Sequence, residues 1–152
     1  MKSKGNLLKE FNNYGPYYKV EFDITVNTYP GNCEVFHFTA NDNDCCNQGD
    51  RYPMLYCNSQ PAFWLTSSLN SNANYGKNYF YDVGTKYHIV IEQCLENGQL
   101  VYKIIVNDEV FVTEVNSNPL TFDSVKLYAA GAWHTACNDE NISLENLKVS
   151  TC

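Results

Sequence analysis

The best candidate for a chemical site is the segment of residues 41–51, with the sequence NDNDCCNQGDR. Its three carboxylates, Asp42, Asp44 and Asp50, stand among several side-chain amides. Carboxylate and amide oxygens are the hard ligands that Ca²⁺ prefers, although the spacing is not that of an EF-hand loop. The pattern therefore predicts Ca²⁺ as a cofactor bound at this segment. The alternative is a solvated loop in which the Asp and Asn side chains cap turns.

Arg51 closes this segment, and its planar guanidinium can donate a fork of hydrogen bonds to a carboxylate or a sugar hydroxyl. The alternative role for Arg51 is an ion pair with Asp44 or Asp50 that holds the loop. Aromatic rings offer apolar faces to a sugar ring, while amide side chains bond to hydroxyl groups. We therefore predict a ligand-binding surface made of Arg51, Asn58, Tyr75, Trp133 and His134. For Trp64 we favour a place in the hydrophobic core, with a place on this surface as the alternative.

Seven cysteines are many for a chain of 152 residues. Such usage is typical of disulfide-bonded proteins in an oxidising compartment, so we predict a secreted, extracellular protein. The disulfide candidates are Cys33, Cys45, Cys46, Cys57, Cys137 and Cys152. We expect the adjacent pair to tether the candidate loop through Cys33 or Cys57, and Cys137 to pair with Cys152, although connectivity does not follow from sequence. The odd number leaves at least one thiol free or paired between chains.

Composition limits the class of protein. The apolar content is rich in aromatic and β-branched residues, with 12 Tyr and 8 Phe, and such residues fit pleated sheets. The formal net charge of −7 argues against nucleic-acid partners, which need an excess of Lys and Arg. The sequence has no run of about 18 apolar residues, so we predict no membrane insertion.

Residues 18–27 alternate between apolar and polar side chains, which is typical of a half-buried antiparallel strand. Further strands are predicted at residues 33–39, 51–58, 62–68, 86–95, 99–106, 109–115, 124–130 and 142–149. An Asn-rich loop is expected through residue 78, and Glu96-Asn97-Gly98 indicates a hairpin. Roughly nine to eleven short strands without crossover helices predict an all-β, two-sheet antiparallel sandwich. We expect one domain over residues 1–152.

Three motifs carry a family pattern: VGTKYHIVIEQ at residues 83–93, YKIIVN at residues 102–107 and ISLENLKV at residues 142–149. Together with the strand KVEFDITVN, their order resembles that of laminin-G-like, concanavalin A-like jelly rolls over residues 16–150. The resemblance implies a jelly-roll fold more than an activity, because these are mostly core and turn positions. Galectins share that fold, and VFHFT and LYCNS resemble their sugar-binding strands. Thr39 and Ala40 depart from the galectin pattern, so we carry over no galectin sugar contact.

Residues 21–25, EFDIT, resemble the E-x-D-x-E strand of β-glucan hydrolases with this fold. Those enzymes need a nucleophile and a proton donor among their carboxylates, and Thr25 stands where the last one is required. Alternation also places Glu21 and Asp23 on an outward face. None of the three histidines has a carboxylate and a nucleophile at suggestive spacing. We therefore predict that the protein is not an enzyme.

The hypothesis that we favour is an extracellular carbohydrate-recognition domain, a lectin, with Ca²⁺ dependence. Loops at residues 42–51, 70–81 and 133–138 would form its surface. Its partner would be a carbohydrate or a glycoprotein, and a homo-oligomer is a candidate assembly. The first alternative is an adhesion or extracellular-matrix domain that binds protein and no sugar. The second is a remnant of a glycan hydrolase.

Overall fold

The structure is a computed structural model that describes residues 6–129 and 133–152. Over these two ranges it has eleven β-strands and no helix, and thus no helix with the length and hydropathy that crossing a membrane requires. The strands are β1 Leu7–Tyr14, β2 Tyr18–Val26, β3 Cys33–Thr39, β4 Met54–Cys57, β5 Ala62–Leu69, β6 Asn72–Phe80, β7 Lys86–Glu96, β8 Gln99–Val106, β9 Glu109–Val115, β10 Phe122–Ala129 and β11 Ile142–Ser150.

The strands form two antiparallel sheets that pack face to face. One sheet has six strands in the order β1-β10-β3-β4-β5-β6, and the other has five in the order β11-β2-β7-β8-β9. Strand β2 illustrates why the sheets pack: its apolar residues are fully buried, while the polar residues between them are half-exposed. The prediction of an all-β, two-sheet antiparallel sandwich is confirmed.

Aromatic rings fill much of the space between the two inner faces. Phe22 on β2 packs edge-on against Phe36 on β3, with ring centroids 5.1 Å apart. Phe36 in turn meets Phe38, at 5.7 Å. Each fully buried Phe stabilises the fold by about 1.5–3 kcal/mol. Contacts between rings of the two sheets therefore hold the sandwich together and leave the outer faces free for a site.

The sequence patterns miss two strands. Strand β6 occupies the segment predicted to be an Asn-rich loop. Its Tyr75 and Tyr79 pack against the core, and its amides lie on the outer face of an edge strand, where water can reach them. Strand β1, for which no strand is predicted, pairs with β10 at the opposite edge. Ala130, the last residue of one predicted strand, lies outside the described residues.

The cysteines pair differently from the prediction. The disulfides are Cys33–Cys137, Cys45–Cys46 and Cys94–Cys152, and Cys57 is free and buried. The expected Cys137–Cys152 pairing is wrong because Cys137 lies beside β3, where its backbone N donates to Glu34 O at 3.1 Å. Cys152 instead reaches Cys94 on β7. The adjacent cysteines bond to each other and tether the loop to no strand.

Candidate functional site

A cleft of about 290 Å³ lies on the outer face of the six-stranded sheet. It forms over β4 and β5 because side chains alternate along each strand. Leu55 and Cys57 of β4 point into the core, so Met54 and Tyr56 face the cleft. Among the described residues, the lining consists of Arg51, Met54, Tyr56, Asn58, Trp64 and His134.

Trp64 supplies the largest ring of this lining. It pairs with Asn78 across the β5–β6 ladder, two residues from the pair of Thr66 and Gly76 and on the same face. A Cβ atom at Gly76 would overlap the six-membered ring of the indole. The indole therefore fills the space that a side chain at position 76 would take, and it remains partly exposed. Our interpretation of Trp64 as a core residue is wrong, because β5 turns Phe63 and Leu65 inward instead.

Arg51 is fixed by three hydrogen bonds. Its Nε donates to the Asp44 carbonyl oxygen at 3.0 Å, and its Nη2 donates to Asp44 Oδ1 at 2.9 Å. Its Nη1 donates to Asn74 Oδ1 at 2.7 Å. Of the two carboxylates considered as partners of Arg51, Asp44 is the one in contact. The guanidinium is therefore held at the cleft with its plane already set.

Asp44 is the electrostatic centre of this corner. Partial burial raises the pKa of its carboxyl, but the hydrogen bonds from Arg51 and His134 outweigh burial and hold that pKa below its usual value. The carboxylate consequently stays ionised at neutral pH. One ionised oxygen thus orients both a guanidinium and an imidazole at the edge of the cleft.

His134 forms one wall. Its Nε2 lies 2.9 Å from Asp44 Oδ1, and its ring lies 5.2 Å from the Tyr56 ring. The neighbouring Trp133 packs over the buried His37, with ring centroids 4.7 Å apart. Trp133 is therefore a support beside the cleft, and His134 is the residue of this pair that lines it.

The segment of residues 133–137, which carries this wall, is anchored to β3. Glu34 N donates to Thr135 O at 2.8 Å, and Glu34 forms an isolated parallel bridge with Ala136. The Cys33–Cys137 disulfide follows directly. Backbone pairing and a covalent bond therefore fix the position of the wall on the sheet.

The buried carboxylate of Asp50 organises the loop of residues 41–51. It accepts hydrogen bonds from Asn41 Nδ2 at 2.8 Å, Asn43 Nδ2 at 3.1 Å and Asn47 N at 2.7 Å. The carbonyl oxygen of Asp50 also lies 2.7 Å from His37 Nε2. These contacts match the alternative expectation, in which Asp and Asn side chains fix turns.

The three carboxylates of this loop contact different partners. Asp42 bonds to the Tyr128 hydroxyl and lies 3.4 Å from Lys126 Nζ, while Asp44 and Asp50 have the partners given above. Within residues 6–129 and 133–152, the potential metal ligands whose atoms converge, within 4.8 Å of one another, are Cys33, Cys57 and Cys137. Two of these are joined in a disulfide. Calcium binding at the loop stays a prediction.

Three of the predicted ligand-binding residues meet at the cleft: Arg51, Asn58 and His134. Tyr75 does not join them, because alternation along β6 turns its ring toward the sandwich interior. There its hydroxyl donates to Glu114 Oε1 at 3.3 Å. The sequence patterns do not single out Met54 and Tyr56, which complete the lining together with Trp64. Alternation along β4 and β5 could have found Tyr56 and Trp64. Their neighbours Leu55 and Phe63 are inward-facing, which puts both rings on the outer face.

A second polar cluster lies on the outer face of the other sheet. His88 Nδ1 is 2.7 Å from Asp23 Oδ1, and His88 Nε2 is 3.2 Å from Glu21 Oε1. Asn146 Nδ2 donates to Asp23 at 2.8 Å. The bond from Asn146, followed by that from His88, lowers the pKa of Asp23. These groups contribute nothing to the cleft, because the whole sandwich separates them from it.

No family model matches the chain, and no curated sequence matches it either. Solved structures do share its fold. Sheep galectin-11, described as a complex with glycerol, gives a TM-score of 0.54 at 12% identity over 97% of this chain and 98% of that chain. The native heptameric SAP-like pentraxin from Limulus polyphemus gives 0.57 at 14% identity over 97% of this chain and 73% of that chain.

A botulinum neurotoxin type C structure is also similar, with a TM-score of 0.54 at 10% identity. Its description states that cell entry depends on interaction with two ganglioside molecules. The match covers 97% of this chain but 41% of the toxin chain, so this chain spans less than half of that protein's length. At such identities the likeness establishes the fold. The protein has the jelly-roll β-sandwich fold that these structures share.

Proposed function

We propose that the protein is an extracellular lectin domain and that the cleft over β4 and β5 is its sugar-binding site. The observation that carries this proposal is the partly exposed indole of Trp64, seated over Gly76 and surrounded by hydrogen-bonding side chains. A pyranose ring has an apolar face and a rim of hydroxyl groups. A ring platform bordered by polar groups complements both features.

Hydrogen bonds within the protein hold the polar border in place. Asn58 Nδ2 donates to Asn78 Oδ1 at 2.6 Å, and Arg51 has the three bonds described above. Side chains that are held in advance lose little conformational entropy when a ligand binds. The fold likeness to a galectin and to a ganglioside-dependent toxin supports the same proposal, as do the three disulfides for an extracellular location.

A glycan array, followed by calorimetric titration of the best ligand, tests this function. We expect binding to weaken about fivefold or more in Trp64→Ala, because a ring contact contributes about 1 kcal/mol or more. His88→Ala, on the outer face of the other sheet, is the matched control and should bind as the unmodified protein does. If no glycan binds, or if Trp64→Ala binds normally, the cleft is not a sugar site. In the first of these two cases, the protein-binding adhesion domain becomes the better hypothesis.

Calcium dependence is a separate part of the proposal. An ion at residues 41–51 would have to compete with Lys126 for Asp42, with Arg51 for Asp44, or with three N–H donors for Asp50. Titration of the glycan in EDTA and then in excess Ca²⁺ decides the question. Equal affinity in both would remove the metal and leave the lectin function intact.

A further inference from the structure

We infer that the cleft selects saccharides that carry an anionic substituent, a carboxylate or a sulfate, and that Arg51 contacts this group. The inference rests on the proposed lectin function and goes beyond it, because it names the class of sugar. It follows from the hydrogen-bonding capacity that the lining side chains retain after their contacts within the protein are counted.

Arg51 retains two N–H groups. A guanidinium has five N–H donors, and in the described part of the chain Arg51 uses three of them, one on each nitrogen. One N–H on Nη1 and one on Nη2 are left. Two donors on one planar group match the two oxygens of a carboxylate or of a sulfate edge.

The other lining side chains retain both donors and acceptors. Asn58 uses one N–H on Asn78, while its Oδ1 already accepts from Gln60 N at 3.1 Å. The indole N–H of Trp64 and the hydroxyl of Tyr56 have no hydrogen-bond partner among residues 6–129 and 133–152. None of the six lining side chains is a carboxylate.

The remaining N–H groups of Arg51 separate acidic from neutral sugars. A sugar hydroxyl both donates and accepts, so next to a guanidinium, which only donates, its own O–H finds no acceptor. A carboxylate or sulfate only accepts, and its charge-assisted bonds are roughly twice as strong as neutral ones. The protein's net charge of −7 opposes this weakly, since charges beyond about 8 Å are screened at physiological salt.

Asp44 sets the strength of this preference. Its Oδ1 accepts from Arg51 and lies equally close to His134 Nε2. Asp44 thereby offsets part of the positive charge of Arg51 that an anionic ligand would meet, although Asp44 is not itself a lining residue. Removal of its charge should therefore raise the ratio of acidic to neutral affinity.

Calorimetric titration with matched glycosides tests the inference. The probes are methyl β-glucuronide against methyl β-glucoside, methyl galacturonide against methyl galactoside, and galactose 6-sulfate against galactose. We expect the acidic member of at least one pair to bind about tenfold tighter at 50 mM NaCl, with an advantage that shrinks at 300 mM NaCl. A neutral member that binds as well as or better than its acidic partner in every pair overturns the inference and leaves the lectin function standing. Absence of binding to all probes and to the array overturns both.

Two variants localise the effect. Arg51→Lys keeps the charge but loses the fork, and we expect it to lose most of the acidic preference. Arg51 is nearly buried, so the substitution could also destabilise the fold. The melting temperature of the Arg51→Lys variant is therefore measured as well. Asp44→Asn provides the independent check: the acidic-to-neutral ratio should increase severalfold. A ratio that stays constant or falls in Asp44→Asn would contradict a role for Arg51 in charge recognition.

Discussion

Asp44 Oδ1 lies 2.9 Å from Arg51 Nη2, in an ion pair that closes the loop of residues 41–51 at the edge of the cleft. Both side chains are largely shielded, with 27% and 11% of their surfaces exposed. A partly shielded ion pair that is reinforced by a hydrogen bond from Arg51 Nε to the Asp44 carbonyl oxygen is worth more than an exposed surface pair, whose median contribution is about 0–1 kcal/mol. The pair therefore matters both for stability and for the shape of the site.

The first prediction concerns acid stability. The pKa of Asp44 is lower in the folded protein than its usual value, so its stabilising contribution is present above the unfolded pKa of about 3.9 and is lost as pH falls through the folded pKa. Urea unfolding from pH 2 to 7 should show Asp44→Asn less stable than the unmodified protein near pH 6, and the two should converge near pH 2. Asp139→Asn, at an exposed carboxylate, is the control and should follow the unmodified protein throughout.

The second prediction concerns the packing of the Trp64 indole against Gly76. Gly76→Ala places a methyl group where the Trp64 ring lies, and we expect a loss of about 1–3 kcal/mol from overpacking together with weaker glycan binding. Chemical unfolding and tryptophan fluorescence measure the two effects.

A double-mutant cycle supplies the control for Gly76. In a Trp64→Ala background the methyl group has room, so Gly76→Ala should cost almost nothing there. An equal cost in both backgrounds would mean that the ring does not occupy this space.

The third prediction concerns the free thiol. Burial raises the pKa of Cys57 to about 12, and the thiolate is the reactive form. At pH 8 iodoacetamide should therefore leave the native protein unlabelled and should label one thiol per chain in urea, as measured by intact mass. Cys57→Ala should show no labelling in either state. Rapid labelling of the native protein would contradict the burial of Cys57.

The fourth prediction separates the disulfides by function. The double variant Cys33→Ala/Cys137→Ala releases the segment that carries His134, so both stability and glycan affinity should fall, the former by about 2–4 kcal/mol. The matched variant Cys94→Ala/Cys152→Ala should lose stability without a change in affinity, because that disulfide joins β7 to the C-terminus, away from the cleft. Equal affinity in the two variants would mean that His134 is not part of the site.

Period-two alternation accounts for the part of the fold that sequence predicts. It located β2 and most other strands because one face of each is buried. It failed at β6, where Asn residues at exposed positions hide the inward Tyr75 and Tyr79. It also misplaced Trp64, since hydrophobicity alone does not distinguish a core ring from a ring that rests on a glycine of the next strand.

The site was only partly predictable for a different reason. Arg51 is the last residue of the polar loop and Asn58 follows it closely in sequence. His134 is predicted to bind ligand because it follows the aromatic residue Trp133. Their common organiser, Asp44, lies 90 residues from His134 along the chain. Such a contact depends on sheet order and disulfide pairing, and neither follows from local pattern.

The anchoring of residues 133–137 to β3 has a consequence for screening. The cleft draws its floor from the middle of the chain and its wall from a segment held by a disulfide that spans 104 residues, so an unfolded chain has no binding site. Any true ligand must then shift the folding equilibrium, by about 2.7 kcal/mol at a concentration of one hundred times Kd. Thermal melting in the presence of candidate saccharides therefore becomes a label-free search for the natural ligand.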